Sequence, residues 1–127
     1  MKKVALIAED DYIQSTALEM LLKKAEYEMV KTCRTGRELI ENILNRKPDL
    51  ILADLFLDDE ITGLDAINKI REKITTPVIF ITGQSPDTVD HRVKHVENSL
   101  LLFKPITVDD LNKAIRKISE YEIKESH

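Results

Sequence analysis

Glu9, Asp10 and Asp11, then Asp54, then Thr82, then Lys104 are the residues whose types and order along the chain suit chemistry. Three carboxylates brought close together repel, and they do not all stay ionised without a counter-charge. A hard divalent cation held by oxygen ligands supplies that charge, and Mg²⁺ accepts a partial protein cage completed by waters. Such a cation also neutralises an incoming phosphoryl group and leaves Asp54 as an in-line nucleophile. The Lys104 ammonium offers a point charge to one phosphate oxygen, and the Thr82 hydroxyl a hydrogen bond to another. Every member of the set then has a role in phosphoryl transfer to a carboxylate. Taken one at a time, the same residues are ordinary. Acids after a strand often cap the next helix, which is the preferred reading of Asp11, and Lys-Pro after a strand is a common surface turn. The coincidence of four suitable groups in one order is what carries weight.

These groups act together only if the fold delivers them to one edge. Short apolar runs at Val4–Ala8, Leu50–Ala53, Val78–Ile81 and Leu100–Phe103 read as strands covered on both faces. Met29–Cys33 is a weaker fifth strand whose polar members suggest an outer position. Between the runs lie stripes at helical spacing: Ile13, Ala17, Leu18, Leu21 and Leu22; Leu39, Ile40, Ile43 and Leu44; Leu64, Ile67 and Ile70; Leu111, Ile115, Ile118 and Tyr121. The segment from Ser85 to Val96 is the poorest helix, with only Val89, Val93 and Val96 on one face. Thr35, Thr62 and Thr107 are placed to start helices, Pro48 to stop one, and Pro77 to open a strand. The result is a βα unit repeated five times, an α/β fold with a parallel sheet and helices on both faces. In such a sheet all strands end at the same edge, where ligands bind. Glu9-Asp10-Asp11 follows the first strand, Asp54 ends the third, Thr82-Gly83 follows the fourth and Lys104-Pro105 the fifth. The second strand contributes nothing comparable.

The 127 residues suit a single domain, 1–127, and a composition 43% hydrophobic and 33% charged allows a real core under a charged surface. No apolar run is long enough to span a bilayer, and Val4–Ala8 is too short for a signal-peptide core. The single cysteine, Cys33, excludes an internal disulfide, in keeping with a reducing cytoplasm, and reads as a buried, inert thiol. A net charge of −4 disfavours non-specific nucleic-acid binding, and the absence of tryptophan leaves no evident stacking platform for bases. His91 and His95 are spaced i, i+4, but without a third ligand they read as exposed surface. Ile13, Ala17 and Leu21 read as core rather than docking surface.

Five segments together resemble the response-regulator receiver family of two-component signalling, CheY-like in type, across essentially the whole chain. They are Leu6-Ile7-Ala8-Glu9-Asp10-Asp11, Pro48 to Leu55, Thr62-Gly63-Leu64, Phe80-Ile81-Thr82-Gly83 and Phe103-Lys104-Pro105. The resemblance implies a flavodoxin-like, doubly wound five-stranded sheet in the order 2-1-3-4-5. It also implies phosphorylation of Asp54 by a sensor histidine kinase or a histidine phosphotransfer protein, assisted by Thr82 and Lys104. Mg²⁺ would be held by Glu9 through a water, by Asp10, by Asp54 and by the backbone carbonyl of Phe56, and the Lys104–Pro105 peptide would be cis. The signal would then pass through the surface formed by the fourth helical segment, the fifth strand and the last helix. An output protein or domain would read it, with the chain a monomer or weak homodimer.

Three departures stand out. The position three before the lysine, commonly aromatic in the family, is Leu101. Phe103 is not expected to take its place, since neighbouring residues of a strand point to opposite faces. The loop after Asp54, with Asp58, Asp59 and Glu60, is one residue longer than the commonest form and reads as a solvated acidic loop. Gly83 after Thr82 leaves the site open. Two other classes compete. A phosphatase with an aspartyl intermediate would want a second acid where Phe56 stands. A nucleotide or flavin binder would want a Gly- or Ser/Thr-rich loop, not acids, after the first strand.

Overall fold

The computed structural model describes residues 3–57 and 60–125, with backbone only for Met29 and residues 119–125. The strands are β1 (Val4–Ala8), β2 (Met29–Cys33), β3 (Leu50–Asp54), β4 (Val78–Thr82) and β5 (Ser99–Phe103). The α-helices are α1 (Tyr12–Lys24), α2 (Gly36–Arg46), α3 (Gly63–Ile70) and α4 (Val108–Glu125). All strand pairs are parallel, in the order β2-β1-β3-β4-β5, so the expected flavodoxin-like arrangement is what the chain forms.

The helix starts follow the sequence signals. Asp11 caps α1 by accepting from the Gln14 N–H at 3.0 Å, the role preferred for it from sequence. Thr35 and Thr62 cap α2 and α3, each accepting from a backbone N–H at 3.0 Å, and Thr107 accepts from Asp110 N–H at the start of α4. Each such bond satisfies a donor that the helix itself leaves unpaired. At its other end α2 stops on Lys47 in the left-handed region (φ 47°), directly before Pro48. Burial drives the rest. Leu6, Ala8, Ile51, Ala53, Val78 and Phe80 pack under α2 and α3, while Ala5, Ile7, Leu50, Leu52, Ile79 and Ile81 pack under α1 and α4. Alternate residues of each central strand therefore enter opposite halves of the core. Tyr121 lies outside the described side chains.

Three expectations are corrected. The fourth βα unit has no α-helix between β4 and β5. The chain there forms only a short 3₁₀ turn at His91–His95, anchored by Val89 and Val93. Three valines make only a narrow apolar face, of which Val89 and Val93 alone are buried, too little to hold an α-helical stripe. His91 and His95 are both exposed there, and on a three-residue turn i and i+4 no longer share a face. Second, β5 is an edge strand whose residues are only half-buried, not one covered on both faces. Third, Ile13 (78% exposed) and Ala17 lie outside the core, while Leu18 and Leu22 fill it. The buried residues of α1 are Ser15, Leu18 and Leu22, with Leu21 partly buried against the same core, so the expected stripe holds at Leu18, Leu21 and Leu22 and fails at Ile13 and Ala17.

Candidate functional site

The carboxyl edge of the sheet gathers the predicted groups, and backbone bonds fix each strand end. Glu9, one residue past β1, donates its N–H to the Cys33 carbonyl of β2 at 2.9 Å. The second strand thus contributes no side chain but does position one. Asp54 is the last residue of β3, in register with Ile81, and the next N–H, that of Leu55, bonds to the Ile81 carbonyl at 3.0 Å. Lys104 donates its N–H to the Thr82 carbonyl at 2.7 Å, which fastens the end of β5 to the end of β4. The Lys104–Pro105 peptide is cis, as the resemblance implied.

Above this frame the side chains converge. Oxygens of Glu9, Asp10 and Asp54 all lie within 4.8 Å of one another. Glu9 is only 1% exposed, and Asp54 and Thr82 are also buried. Lys104 Nζ donates to Glu9 Oε1 at 2.7 Å and to Asp54 Oδ2 at 2.6 Å. Burial is the leading cause that pushes the Glu9 carboxyl up to about 7; the Lys104 bond opposes it and the Asp54 charge adds to it. Burial works against the charge on Lys104, yet its bonds to Asp54 and Glu9 win and hold its pKa above the ordinary value. One ammonium against three carboxylates leaves an uncompensated negative charge. A divalent cation with oxygen ligands is the natural complement. The donor set fits Mg²⁺ on chemistry as well as spacing, because every candidate ligand is a hard oxygen.

Two features of the loop after Asp54 complete the site. The Phe56 N–H donates to Asp54 Oδ1 at 3.0 Å, which turns the backbone of Phe56 beside the cluster while its ring is 55% exposed. Gly63, the first residue of α3, lies against the backbone of Asp54: a Cβ there would sit 2.1 Å from the Asp54 carbonyl oxygen. Only glycine permits that approach. The sequence showed Thr62-Gly63 as a helix start, but nothing in it marked Gly63 as the neighbour of Asp54. Asp58 and Asp59 lie outside the described residues; Glu60 is exposed, as a solvated loop requires. The Thr82 hydroxyl accepts from the Gln84 N–H at 3.1 Å. Gly83 is exposed, and a Cβ there would meet nothing within 4 Å, so the mouth is open as expected.

A cavity of about 440 Å³ adjoins the mouth, lined by Ala17, Leu21, Gly83, Lys104, Pro105 and Ile106 among others. A larger one of about 690 Å³ opens at the opposite edge of the sheet, near Lys47 and Pro77, and holds none of the chemistry-bearing set.

Comparison with known proteins agrees with this geometry. The chain is 42% identical over 92 residues to the regulatory protein LuxO of Vibrio cholerae, an alignment covering 68% of this chain and 20% of LuxO. It is 31% identical over 110 residues to the transcriptional regulatory protein PdtaR of Mycobacterium tuberculosis, covering 87% of this chain and 53% of PdtaR. The chain thus spans from a fifth to about half the length of these relatives. Among solved structures, the signal receiver domain of a putative LuxO repressor protein from Vibrio parahaemolyticus superposes with a TM-score of 0.80 at 26% identity, covering 100% of both chains. The N-terminal domain of a three-domain response regulator/sensory box/GGDEF protein from Carboxydothermus hydrogenoformans gives 0.84 at 25% identity, covering 98% of this chain and 100% of that one. Residues 5–116 match the response regulator receiver domain family, and to that family the chain belongs.

Proposed function

We propose that Asp54 is the phosphoryl acceptor, with residues 1–127 acting as one receiver unit. The observation that carries this is the lysine at the mouth: Lys104 Nζ bridges Glu9 and Asp54 at 2.7 and 2.6 Å, with Asp10 completing a three-carboxylate cluster. Glu9, Asp10, Asp54 and the Phe56 carbonyl would hold Mg²⁺, which when bound supplies charge neutralisation for the phosphoryl oxygens. An Asp54 carboxylate oxygen attacks phosphorus and an acyl phosphate forms. The bond from phosphorus to the donor's histidine nitrogen breaks, leaving a neutral imidazole after proton uptake. Lys104 exchanges its carboxylate contact for a phosphoryl oxygen, and Thr82 turns its hydroxyl to another. The chain acts on itself and turns over no substrate. A phosphatase would need an acid at Phe56, and that position carries an exposed ring instead.

The phosphodonor is a histidine kinase or phosphotransfer protein, the partner class that receiver membership implies. Tyr12, Ile13 and Ala17 form an exposed apolar strip on α1 beside the 440 Å³ cavity, and it suits the helices of such a donor. The reading includes a cytoplasmic location, in keeping with the free thiol of Cys33, and a monomer or weak homodimer. Among the described residues no helix is long and apolar enough to cross a membrane. Incubation with acetyl phosphate and Mg²⁺, followed by intact-mass measurement, tests the proposal. One added phosphoryl group is expected, absent in Asp54→Asn and without Mg²⁺. No gain under any condition overturns it.

A further inference from the structure

We propose that Phe103, rather than Leu101, is the side chain that carries the change at Thr82 outward; the assignment rests on Asp54 being the acceptor. The expectation that Phe103 points away from the face of Leu101 fails on the strand itself. Leu100 and Leu102 pack against the core half under α1 and α4, and Leu101 against the half under α2 and α3. Alternation then puts Phe103, two residues beyond Leu101, on the same face as Leu101.

The register makes the placement specific. Leu101 pairs with Phe80, whereas Phe103 pairs with Thr82. Partners in a parallel ladder share a face, so the Phe103 ring stands beside the Thr82 side chain. Leu101 lies one pleat back, about 6.6 Å along the strand, against the fully buried Phe80. It is already packed against the core half that holds that ring. Phe103 is 37% exposed and has room to become less so. Its backbone is tied to the site as well, through the 2.7 Å bond from Lys104 N–H to the Thr82 carbonyl.

The trigger is the Thr82 hydroxyl, which is held to the Gln84 N–H at 3.1 Å. A phosphoryl group on Asp54 draws the hydroxyl toward itself and away from Gln84. Rotation of the Thr82 side chain vacates its outer side, and burying the adjacent ring there removes apolar surface from water. The space beside Gly83 is open, for a Cβ there would meet nothing within 4 Å. The freed Gln84 N–H and the buried ring together alter the surface around residues 84–97.

The three phenylalanines, Phe56, Phe80 and Phe103, allow a direct test in the full chain labelled with 4-fluorophenylalanine. The Phe103→Leu chain identifies the Phe103 signal, and intact mass gives the fraction phosphorylated by acetyl phosphate and Mg²⁺. The H₂O/D₂O isotope shift of the Phe103 fluorine, which reports ring exposure, is expected to lose most of its value on phosphorylation. It is expected to persist in phosphorylated Thr82→Ala and to be lost again in Thr82→Ser, which keeps the hydroxyl. An unchanged Phe103 signal in a chain that has gained the phosphoryl group overturns this inference alone, as does an equal loss in Thr82→Ala. Failure to gain the group overturns the acceptor assignment and this inference with it.

Discussion

The ends of β1, β3 and β4 and the connection from β4 to β5 lie side by side but are held very differently. At the strand ends Asp54 and Glu9 each have two or more independent constraints. Asp54 is fixed by register with Ile81, by the Phe56 N–H, by Lys104 and by the close approach of Gly63. Glu9 is fixed by the Cys33 carbonyl and by Lys104. In the connection, Val89 and Val93 are the buried anchors and the polar links are local, as between Asp90 and Arg92 or Ser85 and Thr88, until its far end, where Arg71 donates to the Glu97 and Asn98 carbonyls and Asn98 to the Thr75 carbonyl. Chemistry that needs sub-ångström placement sits where the chain is over-determined. A surface that must change sits where few contacts have to be exchanged.

Core truncation on the two sides is the largest expected contrast. Ile67→Ala, under the strand ends, should cost about 4 kcal/mol in urea unfolding, and Val93→Ala in the connection about 1 kcal/mol, because the looser segment can settle into the space. Equal costs would erase the distinction. The glycines give a second pair. Gly63→Ala should destabilise by about 3 kcal/mol and slow phosphoryl gain, since its Cβ would overlap the Asp54 carbonyl, whereas Gly83→Ala should stay within about 0.5 kcal/mol. A tolerant Gly63 would show that the acceptor's backbone is not as tightly held as the geometry requires.

A smaller effect separates function from stability within the over-determined region. At pH 8, in chelator, Glu9→Gln should raise stability by about 1 kcal/mol, because the folded chain there carries a buried, ionised carboxylate that burial disfavours. The folded pKa, about 7, lies above the ordinary carboxyl value of 4.5, so the folded chain holds its proton longer. Stability of the parent therefore falls as pH rises from 4.5 through 7, and its deficit against Glu9→Gln should vanish near pH 5. Mg²⁺ should stabilise the parent and leave Glu9→Gln nearly unmoved, as thermal melts would show. The smallest change concerns Cys33, whose burial pushes the thiol up to about 11. Iodoacetamide at pH 8 should leave it unmodified in the native chain and label it only after unfolding; rapid native labelling would show that the end of β2 opens beside Glu9.

The sequence by itself determined the strands, the parallel class, the helix caps at Asp11, Thr35 and Thr62 and the set of groups delivered to one edge. These depend on local pattern: apolar runs, polar residues at strand ends and side-chain oxygens that bond two or three residues ahead. The resemblance added the strand order and the cis peptide. Only the tertiary structure decided the rest. It left Ile13 and Ala17 of the α1 stripe outside the core and buried Ser15 instead, because the angle at which a helix meets the sheet chooses its buried face. It left the β4–β5 connection without an α-helix, because three valines bury too little apolar surface to hold one. It set Gly63 against Asp54 and Phe103 beside Thr82, contacts between residues far apart or on different strands. Spacing along one segment cannot carry them, because register is a property of two strands at once.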